Sequence, residues 1–327
     1  MSAVGQTGRL PGQDDADWLR QRERGSALAF RLMAWIALRC GRRFARLVLH
    51  PVTLYFVLFS PQQRRHSRRY LGRALGREAG WRDGYRHVHA FASTILDRVY
   101  LLRGQEAAFE LRTHGTELLD AMLEAGRGAF LVGAHLGSFE ALRIVGRARP
   151  ERRIAMVMYP DNARLIQQTL AAIAPGTEPE VIALGRRDSM LAIRDWLDAN
   201  GLAGMLADRT LGAPTPGSTD PMAALGAREG TVTLDFIGRP APFADGPFRL
   251  AALLRRRVVF MAGLYLGGAR YEVRFEPLAD FSTGFANAAE REAAIRAAIA
   301  AYVARLEALC RAHPFNWFNF HDFWKEG

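Results

Sequence analysis

The feature that most constrains the fold is an alternation of short apolar runs and amphipathic stretches that begins near residue 128. Apolar runs of strand length lie at 128–134, 153–158, 180–184, 202–207 and 257–265. Stretches with helical periodicity lie between them, at 139–148, 162–173, 187–199 and 246–256. Strands that alternate with helices form a largely parallel sheet covered by helices. The sequence therefore predicts an α/β fold with a mostly parallel central sheet flanked by helices.

Three more segments complete this region. Apolar and polar residues alternate in 270–278, which predicts an antiparallel strand, and the alanine-rich residues 287–312 predict a long helix. Residues 209–230 contain three prolines and four glycines and predict a long loop. Long loops inside compact domains are often functional, so this loop is a candidate part of a binding site.

Residues 26–59 form the most apolar part of the chain, but they also carry regularly spaced arginines. Arg39, Arg42, Arg43 and Arg46 follow the i, i+3, i+4, i+7 spacing that places residues on one helical face. The uninterrupted apolar part is shorter than the roughly 20 residues that span a bilayer. The pattern predicts a helix in the interfacial plane of an anionic membrane. The alternatives are a helix packed on its own domain, with its arginines in water, and a membrane-inserted anchor.

The charge of the chain is strongly basic and unevenly distributed. The net charge is +11, and Lys325 is the only lysine, so the basic residues are nearly all arginine. Between Arg20 and Arg82 there are fifteen arginines and only two glutamates. This excess favours an anionic partner, namely a membrane surface, a nucleic acid or an acidic carrier protein. A solvated basic face is the alternative.

The composition also suggests how the chain is divided. The polar, glycine-rich residues 1–15 predict a disordered tail and not a cleavable signal peptide. Residues 16–112 predict a basic, helical, membrane-associating region, and residues 113–327 predict the α/β acyltransferase domain, which forms one continuous structural unit with it. Cys40 and Cys310 lack CxxC spacing, so we predict that both are reduced and buried in a cytoplasmic protein.

A histidine and a glutamate follow the first predicted strand, in "GAFLVGAHLGSFEALRIVG" (residues 128–146). On one continuous helix, His135 and Glu140 would point about 140° apart. A turn avoids this, because Gly137 permits a tight bend and Ser138 is a favourable N-cap. We therefore predict His135 at the carboxyl end of a strand and Glu140 in the first turn of the next helix.

This arrangement has a chemical use. A carboxylate that accepts the imidazole N–H fixes its tautomer, and the other ring nitrogen then takes a proton from a hydroxyl. The carboxyl ends of strands are also where open α/β sheets bind ligands. The H-x4-E spacing is weak when taken alone. The stretch contains no dinucleotide fingerprint, nucleophile elbow or H-E-x-x-H motif.

Four segments carry a resemblance to a known superfamily. "HLGSFE" after an apolar strand resembles the H-x4-[D/E] box of the glycerolipid and lipid A acyltransferases. Residues 201–209, "GLAGMLADR", resemble the strand that ends in an aspartate in lipid A late acyltransferases. Residues 236–251 and 313–325 resemble two further boxes of that group, in the same order. The most similar branch comprises predicted acyltransferases of bacterial glycolipid, lipid and aryl-polyene pathways.

The resemblance implies an activity and roles for individual residues. His135 would be the general base, assisted by Glu140, that activates an acceptor hydroxyl for attack on an acyl thioester. Acyl carrier protein or coenzyme A would carry the acyl group, and no metal or dissociable cofactor is implied. Five further residues are predicted to bind substrate: Ser138, Arg164, Asp208, Arg209 and Arg239.

The sequence departs from the lipid A enzymes at two places. Ser138 and Phe139 stand where those enzymes have Asn-Trp, and "VMYP" (157–160) stands where they have V-Y-R-P. The resemblance therefore predicts the reaction class more closely than it predicts the acceptor. The C-terminal aromatic residues are predicted to be buried, with an acyl-chain pocket or a membrane-interface belt as the alternative.

Together these features predict an O-acyltransferase at the cytoplasmic face of the bacterial inner membrane. It would move a fatty acyl or aryl-polyene acyl group to a hydroxyl of a membrane lipid or glycolipid. A thioesterase that uses the same histidine on water is the alternative enzyme. A non-enzymatic protein that binds nucleic acid or a membrane would explain the basic segment but not the His/Glu box. The sequence contains no nucleic-acid recognition motif, so no nucleic-acid partner is predicted.

Overall fold

A computed structural model describes residues 13–149, 151–159, 180–185, 188–209 and 230–324, although the side chains of residues 13–32 and of Ala34 are not described. Most of the predicted N-terminal tail, the predicted helix 162–173 with Arg164, and nearly all of the predicted loop 209–230 lie outside these ranges.

Three helices precede the sheet: α1 (Gln13–Phe59), α2 (Pro61–Leu75) and α3 (Trp81–Leu102). The described strands are β1 (Glu110–His114), β2 (Phe130–Gly133), β3 (Ile154–Met158), β4 (Glu180–Ala183), β5 (Leu202–Leu206), β6 (Thr231–Phe236), β7 (Arg239–Ala244), β8 (Arg257–Gly267) and β9 (Arg270–Asp280). The described helices among them are α4 (Thr116–Glu124), α5 (Phe139–Arg147), α6 (Ser189–Asp198), α7 (Gly246–Leu253) and α8 (Ala288–Ala312). A short 3-10 turn spans Glu106–Ala108.

Seven strands form one sheet in the order β1-β9-β8-β2-β5-β3-β4. All neighbouring strands are parallel except β8 and β9, which are antiparallel. The predicted α/β fold with a mostly parallel sheet flanked by helices is therefore confirmed. β6 and β7 form a separate antiparallel hairpin, which was not predicted from the sequence.

The strands at the centre of the sheet are buried on both faces. All four residues of β2 are buried, and so are the first four of β5. This explains why these strands are continuous apolar runs and do not alternate between apolar and polar residues. Helix α8 covers one face of the sheet, and the Tyr302 hydroxyl donates to the Gly133 carbonyl at 3.0 Å. This hydrogen bond fixes the carboxyl end of β2 to α8.

Helix α1 is bent at Gly41, whose φ of 80° is not helical. The prediction that four arginines share one helical face is therefore wrong, because Arg39 lies before the bend. Beyond it, Arg42 forms a bidentate ion pair with the buried Asp97 of α3, at 2.8 and 2.9 Å. Arg46 donates to the Tyr265 hydroxyl at 3.1 Å. These two arginines thus attach α1 to the rest of the protein.

The opposite side of α1 is apolar and exposed. We call it the outer face of α1, and its members recur every three or four residues: Phe44, Leu47, Pro51, Leu54, Tyr55 and Leu58. Phe44 is 50% exposed and Leu47 is 64% exposed. Within the described residues no single helix has the length and apolar character to cross a bilayer, although Trp35–Phe59 and α2, bent by 96°, meet that requirement as a pair.

The two cysteines lie in different environments. Cys310 of α8 is buried, as predicted, and burial raises the pKa of its thiol. Cys40 is exposed beside the bend in α1, so the prediction that it is buried is wrong. That prediction rested on the absence of CxxC spacing, which carries no information on burial, and Cys40 lies on a side of the helix that faces outward.

His87 is fully buried where α2, α3 and the C-terminal residues meet. Its Nε2 lies 2.8 Å from the Trp317 carbonyl oxygen, and because a carbonyl only accepts, Nε2 carries the proton. Its Nδ1 accepts from the Ser67 hydroxyl at 2.8 Å. Burial lowers the pKa of His87 to about 4, although the hydrogen bond to Trp317 acts in the opposite direction. His87 is therefore neutral at physiological pH.

The neutral His87 is expected to make the protein less stable in acid. Its pKa is 6.5 without the protein environment and about 4 when folded, so between these values the unfolded state binds more protons. The free energy of unfolding therefore falls as the pH drops through this window. At about 1.4 kcal/mol per pKa unit, the wild type should lose roughly 2 kcal/mol more between pH 7 and pH 5 than His87→Gln. Urea unfolding measures this, and equal losses would contradict it.

Candidate active site

The sheet places two predicted site residues side by side. β2 and β5 are neighbouring parallel strands, with Gly133 opposite Leu206. His135 lies two residues beyond Gly133, and Asp208 lies two residues beyond Leu206. Both residues therefore emerge at the carboxyl edge of the sheet at the same level. The prediction that His135 follows the end of a strand is confirmed.

Asp208 binds His135 through both the side chain and the backbone. The His135 Nδ1 lies 2.9 Å from Asp208 Oδ1, and the His135 backbone N–H donates to Asp208 Oδ2 at 2.9 Å. The Trp317 indole Nε1–H also donates to Oδ2, at 2.9 Å. Each carboxylate oxygen of this buried residue thus has a donor.

These contacts keep Asp208 ionised. Burial opposes the charged form, but the attraction of His135 and the hydrogen bonds from His135 and Trp317 outweigh it. The pKa of Asp208 is consequently held well below its ordinary value. An ionised carboxylate only accepts hydrogen bonds, so Nδ1 of His135 is the protonated ring nitrogen. In the neutral imidazole, Nε2 then has a free lone pair.

The imidazole remains accessible at the edge of the sheet. The side chain of His135 is 28% exposed, whereas that of Asp208 is 2% exposed. A histidine held by a buried carboxylate and open on its other side has the geometry of a general base. The chemistry that this pair supports is removal of a proton from a group that approaches Nε2.

The turn after His135 forms as predicted. Gly137 has a φ of 72°, in the left-handed region, and a Cβ atom there would overlap the Gly263 carbonyl oxygen. The Ser138 hydroxyl accepts from the Ala141 backbone N–H at 3.3 Å, which makes Ser138 the N-cap of α5. Ser138 is buried in this position. The substrate contact predicted for Ser138 remains a prediction.

Glu140 lies in the first turn of α5, as predicted, but it contacts a different residue from the one expected. Its carboxylate Oε1 is 2.9 Å from Nε of Arg98 on α3, and Glu140 is buried. No hydrogen bond joins His135 and Glu140 in this structure, because the helix directs Glu140 toward α3. The carboxylate that contacts the imidazole is Asp208. Any assistance that Glu140 gives to His135 is therefore indirect.

No contact with His135 is seen for the remaining predicted substrate-binding residues within the described ranges. Arg209 directly follows Asp208 and is exposed. Arg239 begins β7 beside the hairpin turn and is also exposed. Arg164 lies outside the described residues, so its position relative to His135 stays a prediction.

The contact between the C-terminal segment, residues 313–324, and Asp208 was not predicted from the sequence. Trp317 is fully buried among four other aromatic side chains that meet its ring: Tyr70, Phe236, Phe323 and Trp324. Phe318 and Phe323 are also buried, which confirms the predicted burial of much of this aromatic cluster. The available signal was a tryptophan within an aromatic segment, because the N–H of a buried tryptophan needs a hydrogen-bond acceptor.

The sequence matches no protein-family model, and no curated protein matches it. Among the residues that the structure describes, no three His, Cys, Asp or Glu side chains are grouped as a metal site would require.

Proposed function

We propose that this protein is an O-acyltransferase that moves an acyl group from a thioester to a hydroxyl of a membrane lipid or glycolipid. The observation that carries the proposal is the contact between Asp208 and Nδ1 of His135, which leaves Nε2 for the acceptor hydroxyl. The H-x4-E resemblance supports the same reaction class, since its histidine is a general base toward hydroxyls.

The proposed reaction uses the imidazole twice. Nε2 takes the hydroxyl proton as the acceptor oxygen attacks the thioester carbonyl carbon. The new C–O ester bond then forms, the C–S bond breaks, and the imidazolium returns its proton to the departing thiolate. Asp208 stabilises the imidazolium without itself taking up a proton. A positioned base of this kind contributes about 10²–10⁴-fold to the rate.

The outer face of α1 supports a membrane-bound acceptor. An exposed apolar surface of this extent is typical of a membrane or partner contact. Arg39 and Arg43 flank the bend in α1 and are exposed, where they would meet anionic headgroups. We infer that α1 lies in the headgroup region of the cytoplasmic leaflet of the bacterial inner membrane. α3 packs against α1 and also carries Arg98 of the Glu140 pair, so α3 lies between α1 and the helix that follows His135.

The acyl donor is proposed to be acyl carrier protein or acyl-coenzyme A. Both are anionic, and the arginines of α2 and α3 supply positive charge near the C-terminal segment. Arg73 stacks on Trp324 at 4.2 Å, and Arg86 stacks on Phe315 at 4.2 Å. Donor binding that weakens as salt is raised would agree with this charge distribution.

Product analysis tests the proposed function and separates it from thioester hydrolysis. The full-length protein is incubated with a labelled acyl thioester, with and without vesicles that contain a bacterial lipid extract. An acyltransferase is expected to form labelled acyl-lipid only with vesicles, with little free acid. Release of free acid at the same rate with and without lipid would contradict acyl transfer and indicate a thioesterase.

A further inference from the structure

We propose that Trp317 is a positioning residue that holds Asp208 in register with His135. The expected effect on kcat rests on the proposed function, whereas the expected effect on the hydrogen bond between His135 and Asp208 does not. The starting observation is that the Trp317 indole N–H and the His135 backbone N–H donate to the same oxygen, Oδ2 of Asp208. Without the indole donor, the orientation of the buried carboxylate would depend on His135 alone.

The backbone on both sides of Trp317 is joined to the loop that carries His135. The Phe318 N–H donates to the His135 carbonyl at 2.9 Å, and the Gly137 N–H donates to the Asn316 carbonyl at 2.9 Å. The Asn316 side chain also accepts from the Tyr265 N–H at 2.7 Å and donates to the Tyr265 carbonyl at 3.1 Å. The C-terminal segment is thus fixed to β8 and to the turn after β2 together.

A series of buried hydrogen bonds extends this connection to the N-terminal helices. Ser67 of α2 donates to His87 of α3, and His87 donates to the Trp317 carbonyl. The Trp317 indole donates to Asp208, which accepts from His135. Trp317 is therefore held through its backbone by α2 and α3, while its indole holds the carboxylate. Side chains locked in this way give a site its geometric accuracy.

The test compares Trp317→Phe with two control variants. Trp317→Phe removes the indole donor and keeps an aromatic ring. Trp324→Phe makes the same change next to it, where Nε1 has no hydrogen-bond partner among the described residues. Phe323→Leu opens space in the same cluster, since Phe323 is buried and its ring lies 4.9 Å from that of Trp317, but it leaves the donor in place.

Two readouts are taken on each variant that folds, as judged by circular dichroism. The first is the nuclear magnetic resonance signal of the His135 Nδ1–H, assigned by its loss in His135→Ala. Trp317→Phe is expected to shift this signal and speed its exchange with water at least tenfold, whereas both controls keep it. The second is the rate of acyl transfer, where kcat should fall by about 100-fold with KM little changed, as for a small misplacement of reacting groups.

The outcomes separate this inference from the proposed function. An unchanged Nδ1–H signal in folded Trp317→Phe would overturn the positioning role, whatever the activity. A shifted signal in a protein without acyl transfer would retain the positioning role and reject the proposed function. If Trp317→Phe does not fold, the indole proton of Trp317 is followed in the wild type and in Asp208→Ala. Faster exchange of that proton in Asp208→Ala supports the proposal, and unchanged exchange overturns it.

Discussion

Asp208→Asn is expected to lower kcat for acyl transfer by about 10³–10⁴-fold, in line with the known cost of the wrong histidine tautomer in catalytic triads. The two N–H groups that point at Oδ2 require an acceptor there. The amide oxygen of asparagine would occupy that place, so its NH₂ group would face Nδ1 of His135. Nδ1 would then accept a hydrogen bond, and the proton would move to Nε2. The nitrogen that faces the substrate would no longer be basic.

Glu140→Gln is the matched comparison for this prediction. Glu140 is also a buried carboxylate, but it contacts Arg98 and not the imidazole. Its replacement should therefore reduce kcat less than Asp208→Asn does. Initial rates of acyl-lipid formation, measured on variants with wild-type circular dichroism, show which of the two substitutions lowers kcat more. A greater loss in Glu140→Gln would contradict the assignment of Asp208 as the partner of His135.

The second large effect concerns membrane binding. The triple variant Phe44→Ser, Leu47→Ser, Leu54→Ser is expected to lower the partition coefficient onto anionic vesicles by on the order of 10³-fold. Burial of one such side chain is worth roughly 1.5–3 kcal/mol, and the three lie on the exposed outer face of α1. Because they are exposed, their replacement should change the free energy of unfolding little. Flotation of the protein with vesicles of phosphatidylglycerol and phosphatidylethanolamine measures the partition.

A control for this experiment lies elsewhere on the surface. Leu191 on α6 and Leu253 at the end of α7 are 52% and 45% exposed, so Leu191→Ser with Leu253→Ser makes the same chemical change. This double variant should bind vesicles as the wild type does. An equal loss of vesicle binding in the triple and the double variant would show that general surface hydrophobicity, and not the outer face of α1, drives binding.

The central strands and the turn after β2 could be predicted from the sequence because the signals are local. Apolar runs of strand length mark β2, β3, β5 and β8, and a glycine followed by an N-cap serine marks the start of α5. β1 was not predicted, since most of its residues are exposed at the edge of the sheet and carry no apolar run. The β6–β7 hairpin was missed because Pro240 and Pro242 in β7 disfavour a strand assignment.

The partner of His135 could not be predicted, because it depends on strand order. His135 and Asp208 are far apart in the sequence, and only the adjacency of β2 and β5 makes them neighbours. The sequence did mark both as site residues at strand ends, but it paired His135 with the nearer carboxylate. The orientation of α1 could not be predicted either. Arg42 and Arg46 face inward because they contact Asp97 and Tyr265, which lie far away in the sequence.

The measurement that tests the central claim most directly is the initial rate of acyl transfer by wild type and His135→Ala in the same lipid vesicles. The variant keeps Asp208 and the backbone contacts of the loop but removes the ring nitrogen that accepts the hydroxyl proton. The proposed mechanism predicts formation of labelled acyl-lipid by the wild type and a rate about 10²–10⁴-fold lower for the variant. Acyl-lipid formation by His135→Ala at the wild-type rate would contradict it.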